Sequence, residues 1–263
     1  MRSDKNNQSG ENNVTNDAKK SASPVCVQSL NKSFGAQKVL KGINLNVPRG
    51  ETLSVLGRSG TGKSVLLKLI IGLQKPDSGS ILVNDEDITK LPPKELNEVR
   101  KRVGFLFQQA ALYDSLTIHE NVAFPLRRHT DLSDKDRDKR VDELLASVDM
   151  DKDQQKLPAE ISGGMQKRVG MARALALEPE ILLFDEPTSG LDPISAAEIA
   201  GLILKLQQER HITSVVVTHD IQTARAVSNR LALMNDGQIL VEGTYEEFHN
   251  SHDPFVAQFM KGC

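Results

Sequence analysis

The stretch "ETLSVLGRSGTGKSVLLKLIIGL", Glu51 to Leu73, decides the fold. "ETLSVLG" is a short apolar run ending on glycine, the signature of a buried strand, and "KSVLLKLIIGL" reads as a helix starting near Lys63. Between them "GRSGTGKS" matches G-x-x-x-x-G-K-[ST] in the strand–loop–helix setting that this phosphate-binding pattern requires. Gly57, Gly60 and Gly62 let the loop curl so that its N–H groups, from Gly57 through Arg58, Ser59, Gly60, Thr61 and Gly62, turn inward toward phosphate oxygens. Lys63 is placed to reach the β- and γ-phosphates and the Ser64 hydroxyl to ligate Mg²⁺. The competing reading, a glycine-rich turn without a ligand, is disfavoured by that setting.

Downstream, "ILLFDEP" buries four apolar residues and delivers Asp185 and Glu186 at a strand's C-terminal end, where open α/β sheets hold their ligands. Asp185 is expected to hold Mg²⁺ and Glu186 to act as the general base that orients an attacking water. Phe107-Gln108 closes another strand, and Gln108 there can reach the metal or the water. "VVVTHD" places His219 at a further strand end. Alone, each is as consistent with a structural residue; in this order they define a nucleoside triphosphatase.

The rest of the chain supplies a frame. "VCVQSL" and "VLKGINLNV" read as antiparallel strands, and "RLALMNDGQILVEG" as a hairpin turning at Asn235-Asp236-Gly237. "SDKDRDKRVDELLASV" is a helix opened by Ser133-x-x-Asp136, with Val141, Leu144, Leu145 and Val148 on one face. Strands alternating with helices predict a parallel sheet covered on both faces, with an inserted helical lobe at about 91–177. The domain itself is expected over 25–250, after a disordered polar tail (1–24) and before a helical C-terminal tail (251–263).

"ISGGMQKRV", Ile161 to Val169, poses a separate question, because its two glycines open a helix whose free N–H groups form a second anion-binding start. Taken with the sites above, "TSGLD" at Thr188–Asp192 and "KSFGAQKVL" around Phe34, it makes the sequence from about Val25 to Gly243 resemble the nucleotide-binding subunits of ABC transporters. The resemblance implies a P-loop ABC-type ATPase domain of α/β class, with an antiparallel β subdomain. Gly57–Ser64 is then the Walker A loop, Ile181–Glu186 Walker B, Gln108 the Q-loop glutamine, Ser189–Asp192 the D-loop and His219 the switch histidine at the γ-phosphate. Phe34 takes the position that stacks on adenine, where Tyr is commoner, with a buried core Phe as the rival reading. In this family two subunits pack head to tail, so Ser162, Gly163 and Gly164 would face ATP held by the partner chain, which implies a homodimer using ATP and Mg²⁺.

The signature departs from the common L-S-G-G-Q at Ile161 and Met165. "SGGM" followed by Lys167-Arg168, together with "NVAFPLRRHT" and "SHDPFVAQFMKG", is similar to the ATPases that serve MCE-domain lipid transporters of the Mla type. That similarity implies an integral-membrane permease and an MCE-domain lipid-binding protein as partners, phospholipid as cargo, and a place on the cytoplasmic face of the inner or plasma membrane. Residues near Ala110 to Leu126 would meet the permease's coupling helix, although Leu112, Tyr113 and Leu116 fit packing inside the lobe equally well. The alternatives are the ATPase of an amino-acid or phosphonate importer and, more remotely, a soluble ABC protein without transport.

Composition agrees. The chain has 263 residues, 38% of them hydrophobic, enough for a core. Its 33 Lys and Arg balance 35 Asp and Glu, so no nucleic-acid footprint is present. No apolar run approaches the roughly 18–20 residues that span a bilayer. Cys26 and Cys263 lack metal-ligand spacing and read as free thiols in a reducing compartment. No internal repeat is visible.

Overall fold

The computed structural model describes residues 22–261, so most of the expected polar tail, and Cys263, lie outside the described residues. Strands β1 (Val25–Phe34) and β2 (Gln37–Val47) pair antiparallel, and β4 (Ser78–Val83) and β5 (Glu86–Asp87) extend them in the order β2-β1-β4-β5. Between these strands in sequence run β3 (Thr52–Leu56) and α1 (Lys63–Ile70). Next come α2 (Pro93–Lys101), β6 (Val103–Leu106), α3 (Ile118–His129), α4 (Asp134–Ser147) and α5 (Gly163–Ala174). The chain continues through β7 (Ile181–Asp185), α6 (Pro193–Arg210), β8 (Thr213–Thr218) and α7 (Ile221–Val227). It closes with β9 (Arg230–Asn235), β10 (Gln238–Gly243), α8 (Tyr245–His249) and α9 (Pro254–Lys261).

Among the described residues the main sheet runs β10-β9-β3-β8-β7-β6, parallel except for β10. Side-chain alternation along its strands divides the interior. Leu53, Val55, Ile181, Leu183, Val215 and Val217 face α1 and the antiparallel sheet. Leu182, Phe184 and Val216 face the opposite way, into a second core built with α3, α4, α5 and α6. Leu56, Leu231 and Leu233 pack with Phe248, Val256 and Phe259 from α8 and α9. Each residue of β3, β6, β7 and β8 is therefore buried on one face or the other, which is why these inner strands read as largely apolar runs.

The β9–β10 hairpin turns at Asp236 and Gly237, both at positive φ, where the sequence pattern places it. Ser133 caps α4 by accepting from the Asp136 amide. The range 91–177 expected for the lobe is not helical throughout. Within it, β6 pairs with β7 in the main sheet, and Val99 of α2 joins the first core with Val103 and Phe105. The helical packing of the lobe proper runs from α3 onward, against the second core. The strand closed by Phe107-Gln108 is expected from the sequence, and pairing with β7 puts it in the main sheet rather than in the lobe.

Candidate functional site

Parallel register brings distant residues together. Leu56 of β3 is level with Thr218 of β8, Val217 with Asp185 of β7, and Phe184 with Leu106 of β6. The residues that follow these strand ends, the loop from Gly57, His219, Glu186 and Gln108, therefore emerge side by side at the carboxyl edge of the sheet. They line one cleft of about 640 Å³ with Phe34, Val39, Arg58, Ser59, Gly60, Gly62, Lys63, Ser64 and Val65.

Two glycines of the loop are required by geometry. A Cβ on Gly57 would stand 2.5 Å from the Met234 carbonyl oxygen, and Gly62 holds φ +104 against Val39 and Leu40 of β2. Thr61 does not line the cleft; its hydroxyl donates to the Arg58 carbonyl at 2.9 Å and so ties the loop to itself. The Lys63 ammonium is buried and donates to the carbonyls of Gly57 at 2.8 Å and Arg58 at 3.2 Å, with the Glu186 carboxylate 3.4 Å away.

Ser64 Oγ donates to Asp185 Oδ1 at 2.7 Å. Burial pushes the Asp185 carboxyl above its ordinary range, opposed by the Ser64 bond and by Lys68 and Lys63, while Glu186 adds to the rise. Among the described residues no cluster of three His, Cys, Asp or Glu is arranged around a metal. The adjoining Ser64 hydroxyl and Asp185 carboxylate are hard oxygen donors, with Gln108 at the cleft wall. That small set fits Mg²⁺, which takes few protein ligands and draws the rest from phosphates and water.

Glu186 sits at φ +47, an uncommon conformation for a residue other than glycine. Its amide donates to the Val217 carbonyl at 2.9 Å, and its Oε2 is 2.9 Å from His219 Nδ1. The His219 ring is largely exposed at the cleft mouth. Phe34 is 46% exposed and therefore not a core residue, and Lys32 Nζ stands 5.2 Å from its ring centroid.

Ser162, Gly163 and Gly164 are not brought into this cleft. Ser162 caps α5 by accepting from the Met165 amide at 3.3 Å, and Ser162 and Gly163 are exposed on another part of the surface. Asp192 of the expected D-loop caps α6, accepting from the amides of Ile194 and Ser195.

Three residues in the site's surroundings were given no role at the site by the sequence, although Lys167 and Asn121 lie in stretches that carried the family resemblance. Lys167 on α5 is buried and donates to the carbonyls of Gln108 and, at 3.1 Å, Glu186; burial lowers its pKa to about 8, against the pull of Asp185 and Glu186. Arg173, six residues on, donates to the carbonyls of Ala110 and Ala111, both at positive φ. Asn121 on α3, fully buried, accepts from the Tyr113 amide at 2.8 Å and donates to the carbonyls of Tyr113, Leu116 and Thr117. The only sequence signals were a lysine inside an otherwise apolar helix face and an asparagine mid-helix.

A phosphate loop, two acids and a histidine at adjoining strand ends of a parallel sheet define a P-loop ATPase. Residues 40–189 match the ABC transporter family model, and the chain belongs to that family as an ABC-type ATPase. It is 40% identical over 236 residues to the intermembrane phospholipid transport system ATP-binding protein MlaF of Haemophilus influenzae, covering 90% of this chain and 89% of that one. It is 43% identical over 236 residues to the probable ribonucleotide transport ATP-binding protein mkl of Mycobacterium tuberculosis, covering 90% of this chain but only 66% of that relative's length. Among solved structures, the ATP-binding cassette MJ0796, a dimer in a post-hydrolysis state bound to ADP and Pi, superposes with a TM-score of 0.78 at 37% identity, over 84% of this chain and 98% of that one. The cbiO1 subunit from Clostridium perfringens gives a TM-score of 0.80 at 31% identity, over 92% of this chain and all of that one.

Proposed function

We propose that this chain is the ATP-hydrolysing subunit of a membrane transporter that moves phospholipid, working as a homodimer in which each ATP is held between two copies. The observation that carries the dimer is the division of the site within one chain. The loop, Gln108, Glu186 and His219 share a cleft, while the open start of α5, with Ser162 and Gly163 exposed and Gly164 half-buried, lies outside it. A second copy packed head to tail brings that helix start, with its unpaired N–H groups, to the γ-phosphate. The similar cassette MJ0796 is dimeric.

The geometry supports the following roles. The loop N–H groups and Lys63 bind the β- and γ-phosphates, and Phe34 offers its exposed face to the adenine. Ser64 and Asp185, with Gln108, would hold Mg²⁺, which supplies charge neutralisation between the phosphates. Glu186 orients the attacking water and accepts its proton, its carboxylate fixed between Lys63 and His219. His219 reaches the γ-phosphate from the cleft mouth. Positioning and neutralisation are most of what phosphoryl transfer requires.

The domain is assigned to 25–250, with the lobe inserted after β6. Its partner is an integral-membrane permease, docking in the groove of about 330 Å³ between β6 and the lobe, where Tyr113 and Phe124 are exposed with ring centroids 4.9 Å apart. Leu112 instead packs against the second core. No described helix is long and apolar enough to cross a membrane, which fits attachment through that permease on the cytoplasmic face. The lipid cargo is supported by the likeness to MlaF, and an MCE-domain partner by the resemblance carried by the "SGGM" signature. Purification of the intact membrane complex, with its bound lipid identified by mass spectrometry, tests this. Recovery with a sulfate- or amino-acid-handling permease and no lipid would overturn the cargo.

A further inference from the structure

The carbonyl oxygen of Glu186 accepts three hydrogen bonds. Ser189 donates from its amide at 3.2 Å and its hydroxyl at 3.1 Å, and Lys167 Nζ donates at 3.1 Å. The same ammonium donates to the carbonyl of Gln108. Among the described residues no carboxylate lies within ion-pair distance of Lys167, so this buried cation spends its donors on backbone. Burying an ammonium whose nearest counter-charges, Asp185 and Glu186, stand beyond ion-pair distance is costly, and apolar side chains fill such a site at lower cost. A residue retained there needs a reason in what it joins.

What it joins are two segments with strained backbones. Glu186 is held at φ +47, and the turn after Gln108 places Ala110 and Ala111 at φ +56 and +50. Left-handed conformations of such residues are strained and persist where surrounding contacts over-determine them. The turn is further gripped by Arg173, from the same helix as Lys167. Helix α5 thus holds both strained segments, and its start is the element offered to the second copy.

We propose that Lys167 is a positioning residue that yokes the loop of Gln108 to the backbone of Glu186, so that the catalytic carboxylate is in register only when that loop is seated. Lys167 itself does not line the cleft. It fixes the peptide from which the Glu186 side chain projects, and a shift of about 1 Å in a reacting group lowers a rate on the order of a hundredfold. Movement of the Gln108 loop against a docked membrane partner is then felt at Glu186 through one shared ammonium. This rests on the role of Glu186 given above.

The test compares Lys167→Met and Lys167→Gln in the full chain. Methionine matches the unbranched length without donors, whereas glutamine keeps two N–H donors and loses the charge. Steady-state hydrolysis is measured over a range of ATP, with the melting midpoint as a control for folding. Lys167→Met is expected to leave KM within about twofold while lowering kcat about thirtyfold or more. Lys167→Gln is expected to recover most of kcat, because the bridge needs donors rather than charge. Where the methionine variant does not fold, Lys167→Leu takes its place in the same comparison. Unchanged kcat in the donor-free variant, or equal loss in both variants, overturns the proposal. Glu186→Gln is run alongside: turnover retained there would remove the assignment of Glu186, whereas turnover lost there but normal in Lys167→Met removes only the yoke.

Discussion

Glu186 and His219 meet at 2.9 Å across the ends of two neighbouring parallel strands, one carboxylate oxygen facing the imidazole and the other 3.4 Å from the Lys63 ammonium. The carboxylate is thus aimed before any nucleotide arrives. Exchanging it for an amide keeps shape and hydrogen-bonding reach but removes the proton acceptor. Glu186→Gln is expected to bind ATP normally, to lower kcat by on the order of a hundredfold or more, and to accumulate as an ATP-bound dimer in size-exclusion chromatography. A monomer that hydrolyses ATP at the unaltered rate would remove the mechanism.

The split site allows complementation. At Gly163 a new Cβ would meet only Leu191 Cδ2, at 3.7 Å, so an added side chain fits the single chain without strain. An aspartate at a helix start is also favourable for folding but repels a phosphate. Gly163→Asp is expected to melt like the unaltered chain and bind ATP with similar affinity, yet to be inactive. Lys63→Ala is expected to be inactive through lost phosphate binding. Mixed, the two form dimers with one intact site, built from the loop of the first variant and the helix start of the second, and ATPase activity returns. Continued inactivity of the mixture, with heterodimers demonstrated by tagged pull-down, would refute the shared site.

The contrast between these residues and the ones that escaped notice shows what a sequence displays. Lys63, Asp185, Glu186 and His219 are legible because each follows an apolar strand directly, and parallel register converts that local position into proximity. The glycines of the loop are legible because backbone curvature restricts residue type. Lys167, Arg173 and Asn121 act on backbone carbonyls, which every residue carries, so no partner residue marks them. The exposed Phe34 could be told from a core aromatic only by its surroundings. Strand β6 was legible as a strand, but its place at the sheet edge is set by pairing with β7, more than seventy residues on.

Asn121 tests one of these hidden contacts. Its buried amide satisfies the amide and carbonyl of Tyr113 and the carbonyl of Leu116, and so shapes the segment that leads into the permease-facing groove. Asn121→Leu keeps similar volume and removes every one of those bonds. Buried backbone groups left unpaired cost about 1–3 kcal/mol each, so a loss of about 3 kcal/mol is expected in denaturant unfolding, with hydrolysis by the folded fraction retained. A variant as stable as the unaltered chain would show that this segment relaxes to find water.

Phe34 carries the last prediction. Its ring is 46% exposed at the cleft edge, so removing it should cost the core little. Stacking of a base on an aromatic ring contributes about 1–3 kcal/mol. Phe34→Ala is therefore expected to weaken nucleotide affinity by about tenfold, with a matching rise in KM and little change in kcat, because the adenine contact is equal in the ground and transition states. Phe34→Tyr keeps the ring and is expected to bind as the unaltered chain does. Fluorescence titration with a labelled adenine nucleotide reads both variants. Equal affinity in Phe34→Ala would place the adenine elsewhere, whereas a fall in kcat at unchanged KM would assign the ring to closure of the dimer rather than to the base.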